Sequence, residues 1–302
     1  MNKWLEYWKQ DELNEDVFTD KQGRKHEKLK AFWQSKFSSI DGESQVLDVA
    51  SGAGAVFRCL DSTSSLNLHA LDISADALDK LKSDFPNCTT YPMALDSAKF
   101  EEKRFDLIVS QFGIEYLGFD GFLEAAKLMS DGGQCVFLSH YESGAIDIIT
   151  QQSLHGLQQL QKNEFLAKAK RVAQAFIGDE RRQVEAAVAD FMNVEPLISQ
   201  SSASMPESHH AHVYNGVKQL LSNFNQYENQ HILDWLSTAS NQVSENLMRL
   251  QSMHNAALSQ SDIDELNAQL SSFGVKIELV SPFYLREGDL PVAWEIHAQK
   301  YT

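Results

Sequence analysis

Cysteine is scarce in this chain of 302 residues: Cys59, Cys88 and Cys135 are the only three. Three are too few for a disulfide framework, and since they lie far apart with no pair at metal-ligand spacing, no metal is expected. Cys59 and Cys135 stand in apolar runs and read as small buried hydrophobes. Long apolar stretches are also missing, since none approaches the roughly 18 residues needed to cross a bilayer. Positive charge is the third shortage, with 26 Lys and Arg against 42 Asp and Glu and a net charge of −16. Phosphate binding needs clustered bases. The one basic cluster, Asp20 to Lys30, is interleaved with acids and reads as a solvated helix face, or second as an anion-binding face. Nucleic acid and membrane surfaces are therefore disfavoured partners. The N-terminal stretch is polar and acidic, without the basic flank and apolar core of a signal peptide, so the expectation is a cytoplasmic protein.

What is present is ordinary for a globular chain. The 43% hydrophobic content is too high for disorder, and the length allows one large domain or two smaller ones. Residues 1–41 read as a helical segment, with Leu29, Phe32, Trp33 and Phe37 at helical spacing. Trp4, Tyr7 and Trp8 share one helical face, which reads as packing first and as a pocket cover second.

From Gln45 to His140 short apolar runs alternate with helical ones. Strands are expected at Gln45–Ala50, Leu68–Asp72, Thr90–Ala94, Phe105–Ser110 and Gln134–Ser139. Helices are expected from Ala53, over Ala75–Phe85 with Ser74 as its cap, and over Gly121–Met129, stopped by Asp131-Gly-Gly133. Pro92 puts the third strand toward a sheet edge. Alternation of this kind implies parallel strands joined by crossover helices, a doubly wound α/β sheet covered on both faces. From about Gly144 to Leu270 only helical periodicity is found, with Pro196–Pro206 read as a loop. Two alternating strands, Val275–Val280 and Val292–Ala298, then finish the sheet as an antiparallel pair. The expected division is 1–41 for the helical segment, 42–143 with 271–302 for the α/β domain, and 144–270 for an all-helical insertion between the fifth and sixth strands.

The most informative stretch is Val46-Leu-Asp-Val-Ala-Ser-Gly-Ala-Gly54. A buried strand runs into a turn holding Gly52 and Gly54, where backbone can approach a ligand closely. Asp72 closes the second strand, beside the crevice at the carboxyl ends of the strands, where a carboxylate can accept both ribose hydroxyls. The pair argues for a nucleoside-containing ligand. A dinucleotide fold is one reading, but the third glycine of its fingerprint is replaced by Phe57, and Asp48 would repel a pyrophosphate.

At these residues the chain resembles the class I S-adenosylmethionine (SAM)-dependent methyltransferases. The family pattern, an acid followed by a Gly-rich turn, stands here as Asp48-Val-Ala50-Ser-Gly52-Ala-Gly54, with Ala50 in place of the first glycine. The resemblance implies SAM as cofactor, a mostly parallel seven-stranded sheet with an antiparallel C-terminal strand, Asp72 as the ribose-binding acid, and Ile73 next to it as a further cofactor-binding residue. It implies Asp96 and Ser97 at the adenine, and Gln111 and Phe112 beside the methyl donor. Leu128-Met-Ser-Asp-Gly-Gly133 matches the family's turn into the fifth strand. A nicotinamide dehydrogenase, and an α/β domain whose glycines are only tight turns, are the competing readings.

Methyl transfer asks the enzyme to align a nucleophile and exclude water, with a base only where a proton must leave. The Asn/Asp-Pro-Pro-aromatic motif of amino-directed relatives is absent from Ser110–Tyr116. His140, after the fifth strand, is the candidate base, with a structural histidine as the plainer reading. Glu115 is a candidate for orienting the nucleophile, against a helix-surface charge. His209, His210 and His212 cannot all converge on one ion and read as a polar helix start. From Pro196 to Leu270 the only bases are Lys218 and Arg249, which disfavours a nucleic-acid cap. The expected acceptor is a small molecule, the expected assembly a monomer or homodimer. RNA or protein methylation, and SAM binding without transfer, are the alternatives.

Overall fold

The computed structural model describes residues 26–60, 65–97, 100 and 105–301. The Trp4, Tyr7 and Trp8 stripe and most of the basic cluster lie outside the described residues. The described chain divides into two compact units, Met1–Asp147 with Asn255–Thr302, and Ile148–His254.

The first unit is built on a seven-stranded sheet in the order β3-β2-β1-β4-β5-β7-β6. Its strands are β1 (Gln45–Val49), β2 (Asn67–Asp72), β3 (Thr89–Pro92), β4 (Phe105–Gln111), β5 (Met129–His140), β6 (Val275–Phe283) and β7 (Ala293–Lys300). The pairs β1–β2, β1–β4, β2–β3 and β4–β5 are parallel. Strand β7 runs antiparallel to both β5 and β6. The doubly wound sheet and its antiparallel ending are as the sequence led us to expect, with β3, which holds Pro92, at the edge.

Side chains of successive strand residues leave for opposite faces, and both faces are apolar. Leu47, Ile108, Cys135 and Phe137 join one core with Phe122 of α3 (Gly118–Lys127) and Leu266 of α10 (Gln260–Ser271). Val46, Leu107, Val136 and Leu138 join the other, with Trp33 of α1 (Glu27–Phe37) and Leu78 and Leu81 of α2 (Ala75–Asp84). Ser74 caps α2 by accepting from the Ala77 N–H at 3.3 Å.

The second unit is helical. It takes in α5 (Phe165–Gly178), α6 (Arg181–Met192), α7 (Glu195–Ser204) and α8 (His209–Ser222), with most of α4 (Ala145–Lys162) and α9 (Asn229–Ala256). Leu157, Phe165, Ala169, Val217, Ile232 and Leu236 form its core. Among the described residues no helix is long and apolar enough to cross a membrane.

Four expectations are corrected. The Gly-rich turn is followed by a single 3-10 turn, Phe57–Cys59, because Leu60 swings to an extended conformation at ψ 147°. Asp131-Gly-Gly133 lies inside β5 as a bulge, since Phe105 pairs with Met129 while Leu107 pairs with Gln134. Pro196–Pro206 is mostly helix α7, because Pro196 falls in the first turn, where no N–H donor is needed. Helix α10, started by a Ser259/Asp262 capping box, belongs to the first unit because Ile263, Leu266 and Leu270 pack into the sheet core.

Candidate active site

The site is assembled at the carboxyl ends of β1, β2, β4 and β5. After Val49 the chain turns sharply, with positive φ at Ala50 (54°), Gly52 (51°) and Gly54 (89°). At Gly54 a Cβ would lie 2.9 Å from Leu81 Cγ, so the turn sits against α2. Asp48 is fully buried within β1.

Asp72 ties the first two loops together. Its Oδ2 accepts from the Gly52 N–H at 2.9 Å and its Oδ1 from the Ser74 N–H at 2.8 Å. Burial pushes its carboxyl pKa up, and backbone N–H groups of Ser74, Gly52 and Ile73 oppose that shift. Each oxygen keeps a further lone pair for a ligand hydroxyl. Ile73 beside it is 41% exposed, an apolar side chain open at the rim. Asp96 and Ser97 are exposed on a short 3-10 turn, with Ser97 Oγ donating to Asp96 at 3.0 Å.

The loop after β4 is pinned to β1. Buried Ser110 donates its hydroxyl to the Val49 carbonyl at 2.7 Å and accepts from the Ile114 N–H at 3.1 Å. Gln111 Oε1 accepts from Trp33 Nε1 at 2.6 Å, so this amide is engaged with α1. Phe112 adopts a positive φ of 54°, and its ring centroid stands 4.9 Å from that of His140.

His140 and Glu115, named separately from the sequence, are in direct contact. Glu115 Oε1 lies 2.6 Å from His140 Nδ1 and accepts the His140 backbone N–H at 3.0 Å. Both side chains are buried, at 5% and 0% exposure. Glu115 is therefore not a surface charge. The Tyr116 ring packs edge-on to the imidazole at 5.8 Å. His140 is fixed from its other side as well: it pairs with Ala293 of β7, and its carbonyl accepts from the Leu258 N–H at 2.8 Å.

The histidines at the start of α8 do not gather. His209 Nε2 meets Asn246 Nδ2 at 3.3 Å, His210 lies between Ser208 and Ser201, and His212 is exposed. Among the described residues no group of three or more His, Cys, Asp or Glu is arranged to hold a metal ion.

Residues 46–133 match the family model described as a methyltransferase domain. That span covers the glycine turn, Asp72, Asp96 and the β4 loop, and it stops short of His140. No curated protein sequence matches the chain. Among solved structures, the plantazolicin methyltransferase BpumL in complex with a desmethyl plantazolicin analogue and S-adenosylhomocysteine (SAH) matches 91% of this chain and 82% of its own, at 9% identity and a TM-score of 0.46. A TehB-like SAM-dependent methyltransferase from Corynebacterium glutamicum matches 37% of this chain and 62% of its own, at 22% identity and a TM-score of 0.31. A chain from the complex between the Haloferax volcanii Trm112 methyltransferase activator and a methyltransferase matches 39% of this chain, at 18% identity and a TM-score of 0.35. The present chain spans 54% of that Haloferax chain's length.

The strand order and the glycine turn define a Rossmann-like fold. Residues 46–133 are similar to a methyltransferase domain, and the SAM donor expected from the sequence can be set against the site. The residues present fit that donor. Ser51, inside the turn, has a buried Oγ with no hydrogen-bond partner among the described residues, an atom left for a ligand. Ser51, Ser110 and Gly113 were not singled out from the sequence. Small residues inside a motif carry no outward signal until their neighbours are known.

Proposed function

We propose that the chain transfers a methyl group from SAM to a small-molecule acceptor. The observation that carries this reading is the Asp72 carboxylate bridging Gly52 and Ser74 at the mouth of the crevice, with exposed Ile73 beside it. In this reading Asp72 holds the ribose hydroxyls, and Gly52, Gly54 and Ser51 surround the amino-acid end of the donor. Ile73 with Asp96 and Ser97 flanks the adenine. Gln111 and Phe112 stand beside the sulfonium, and Asp48 structures the turn from beneath. When bound, SAM supplies an electrophilic methyl carbon on a positively charged sulfur. The chain's own part is to orient the nucleophile and keep water out.

The excess of acids over bases along the chain supports an acceptor other than nucleic acid. The scarcity of cysteine in the sequence supports the expectation of a cytoplasmic protein.

Calorimetry with SAM and SAH tests the reading. Micromolar binding by the wild type, lost in Asp72→Ala, is the expected result. A folded wild type that binds neither nucleoside would overturn it. Transfer of label from SAM into a fractionated extract then separates a small-molecule acceptor from RNA or protein.

A further inference from the structure

We propose that Glu115 and His140 form a general-base pair, and that the acceptor is attacked through a heteroatom that still carries its proton, a hydroxyl or an ammonium nitrogen. The inference rests on the methyltransferase reading above and narrows its substrate class.

The tautomer follows from the hydrogen bonds. Glu115 Oε1 accepts the His140 backbone N–H and stands 2.6 Å from Nδ1. An ionised carboxylate only accepts, so the hydrogen between them sits on Nδ1. With one ring proton, on Nδ1, the lone pair is left on Nε2, for which no hydrogen bond to a described residue is found. Glu115 Oε2 is also buried without a partner among the described residues. The pair thus offers two unfilled acceptors and no free donor, which suits a partner bringing O–H or N–H groups. A carbanion or a thioether nucleophile has no proton to give and no use for them.

Position supports the same role. Gly113, two residues before Glu115, packs directly on Ala50 of the glycine turn. Ser110 fastens the same loop to Val49. The dyad is therefore one short, rigid loop away from the donor cradle. Phe112 and Tyr116 flank the imidazole and limit water around it.

The step balances. His140 Nε2 takes the proton of the acceptor heteroatom as that atom's electron pair forms the new bond to the methyl carbon. The electron pair of the broken C–S bond stays on sulfur. The positive charge lost from the sulfonium is matched by the imidazolium that forms, which Glu115 stabilises through Nδ1–H.

Sinefungin provides a probe that needs no known acceptor. It carries an amine on the carbon that replaces the methyl-bearing sulfur, so it presents N–H donors where the methyl group would stand. The test compares sinefungin and SAH affinities by calorimetry in wild type and His140→Asn. Asn keeps a donor for Glu115 and has no acceptor at the Nε2 position. The expected result is a sinefungin-to-SAH affinity ratio lowered about tenfold, with SAH affinity within about twofold of wild type. An unchanged ratio would overturn the proposal while leaving the donor site intact. Failure of wild type to bind SAH would instead overturn the underlying methyltransferase reading. Nitrogen NMR of the wild-type histidines stands independently of the variant's folding. Nδ1 protonated and Nε2 bare, with the Nε2 signal moved by sinefungin, is expected. Nε2 protonated in the neutral ring would overturn the assignment.

Discussion

Gly113 stands so close to Ala50 that a Cβ on the glycine would lie 2.6 Å from the alanine Cβ and 3.0 Å from its carbonyl oxygen. Ala50 occupies the position where the resemblance has glycine, and it holds a left-handed φ of 54°. The side chain gained at one loop is accommodated by the side chain missing from the other. This contact couples the donor turn to the loop that carries Glu115.

Gly113→Ala therefore costs about 1–3 kcal/mol in stability, the usual range for overpacking, and perturbs SAH binding with it. Ala50→Gly in that background removes the Cβ contact but leaves the carbonyl contact, so it restores part of the loss. Thermal unfolding and SAH calorimetry on the two single variants and the double variant check this. Equal losses in Gly113→Ala with and without Ala50→Gly would show that the two loops are not coupled through this contact.

The sheet was legible in the sequence because strands covered on both faces are short, apolar and separated by helical periodicity. Val46-Leu47-Asp48-Val49 is such a run, and each of its residues is buried. The glycine turn and Asp72 could be picked out as candidates because glycines and an acid at strand ends have a physical purpose. The Glu115–His140 contact was not legible. The two lie 25 positions apart, and only the β4–β5 pairing brings them together. The bulge at Asp131–Gly133 was hidden for the same kind of reason, since a glycine pair signals a turn equally well inside or outside a strand. Pro196 misled because proline breaks a helix interior but is welcome in a first turn.

Gly156 in α4 is a packing position. A Cβ there would stand 2.2 Å from Nδ1 of His210, whose ring is held by Ser208 at 2.9 Å and Ser201 at 3.3 Å and cannot move aside. Gly156→Ala is expected to destabilise the helical unit, because a steric cost of about 1–3 kcal/mol outweighs the roughly 1 kcal/mol of helix propensity gained. Gly178→Ala is the control. A Cβ at Gly178, the last residue of α5, meets nothing within 4 Å, so this variant gains stability or stays neutral. Chemical denaturation followed by circular dichroism separates the two, and equal effects would refute the packing argument.

The helical unit should lose stability on acidification. Burial holds His209 below the ordinary histidine value, and His212, Arg249 and His210 add repulsion. Burial holds His210 down as well, partly opposed by the Ser201 carbonyl, with His155 a further cation. A histidine whose folded pKa is lowered takes up its proton more readily when unfolded. Its stabilising contribution is complete above the unfolded value of about 6.5 and is lost as pH falls below that toward the lowered folded value. Below about pH 6.5 the unfolding midpoint of the wild type should fall more steeply than that of the His209→Asn, His210→Asn double variant. Parallel pH profiles would count against these two histidines.

The cysteines should be inert in the folded protein. Burial, reinforced by the Asp48 charge and opposed by Lys82, pushes the Cys88 thiol pKa up to about 12. Burial pushes Cys135 up too, and Cys59 is fully enclosed. The thiolate is the reactive form, and near neutral pH neither shifted thiol supplies it to an aqueous reagent. Titration with a chromogenic disulfide at about pH 8 should give no release from native protein and release from all three thiols in denaturant. The three should appear together with global unfolding, because Cys59 and Cys88 pack in one sheet core and Cys135 in the other. Release of one thiol ahead of the rest would mean that its face of the sheet opens separately, and with it the loops that hold Asp72 and His140.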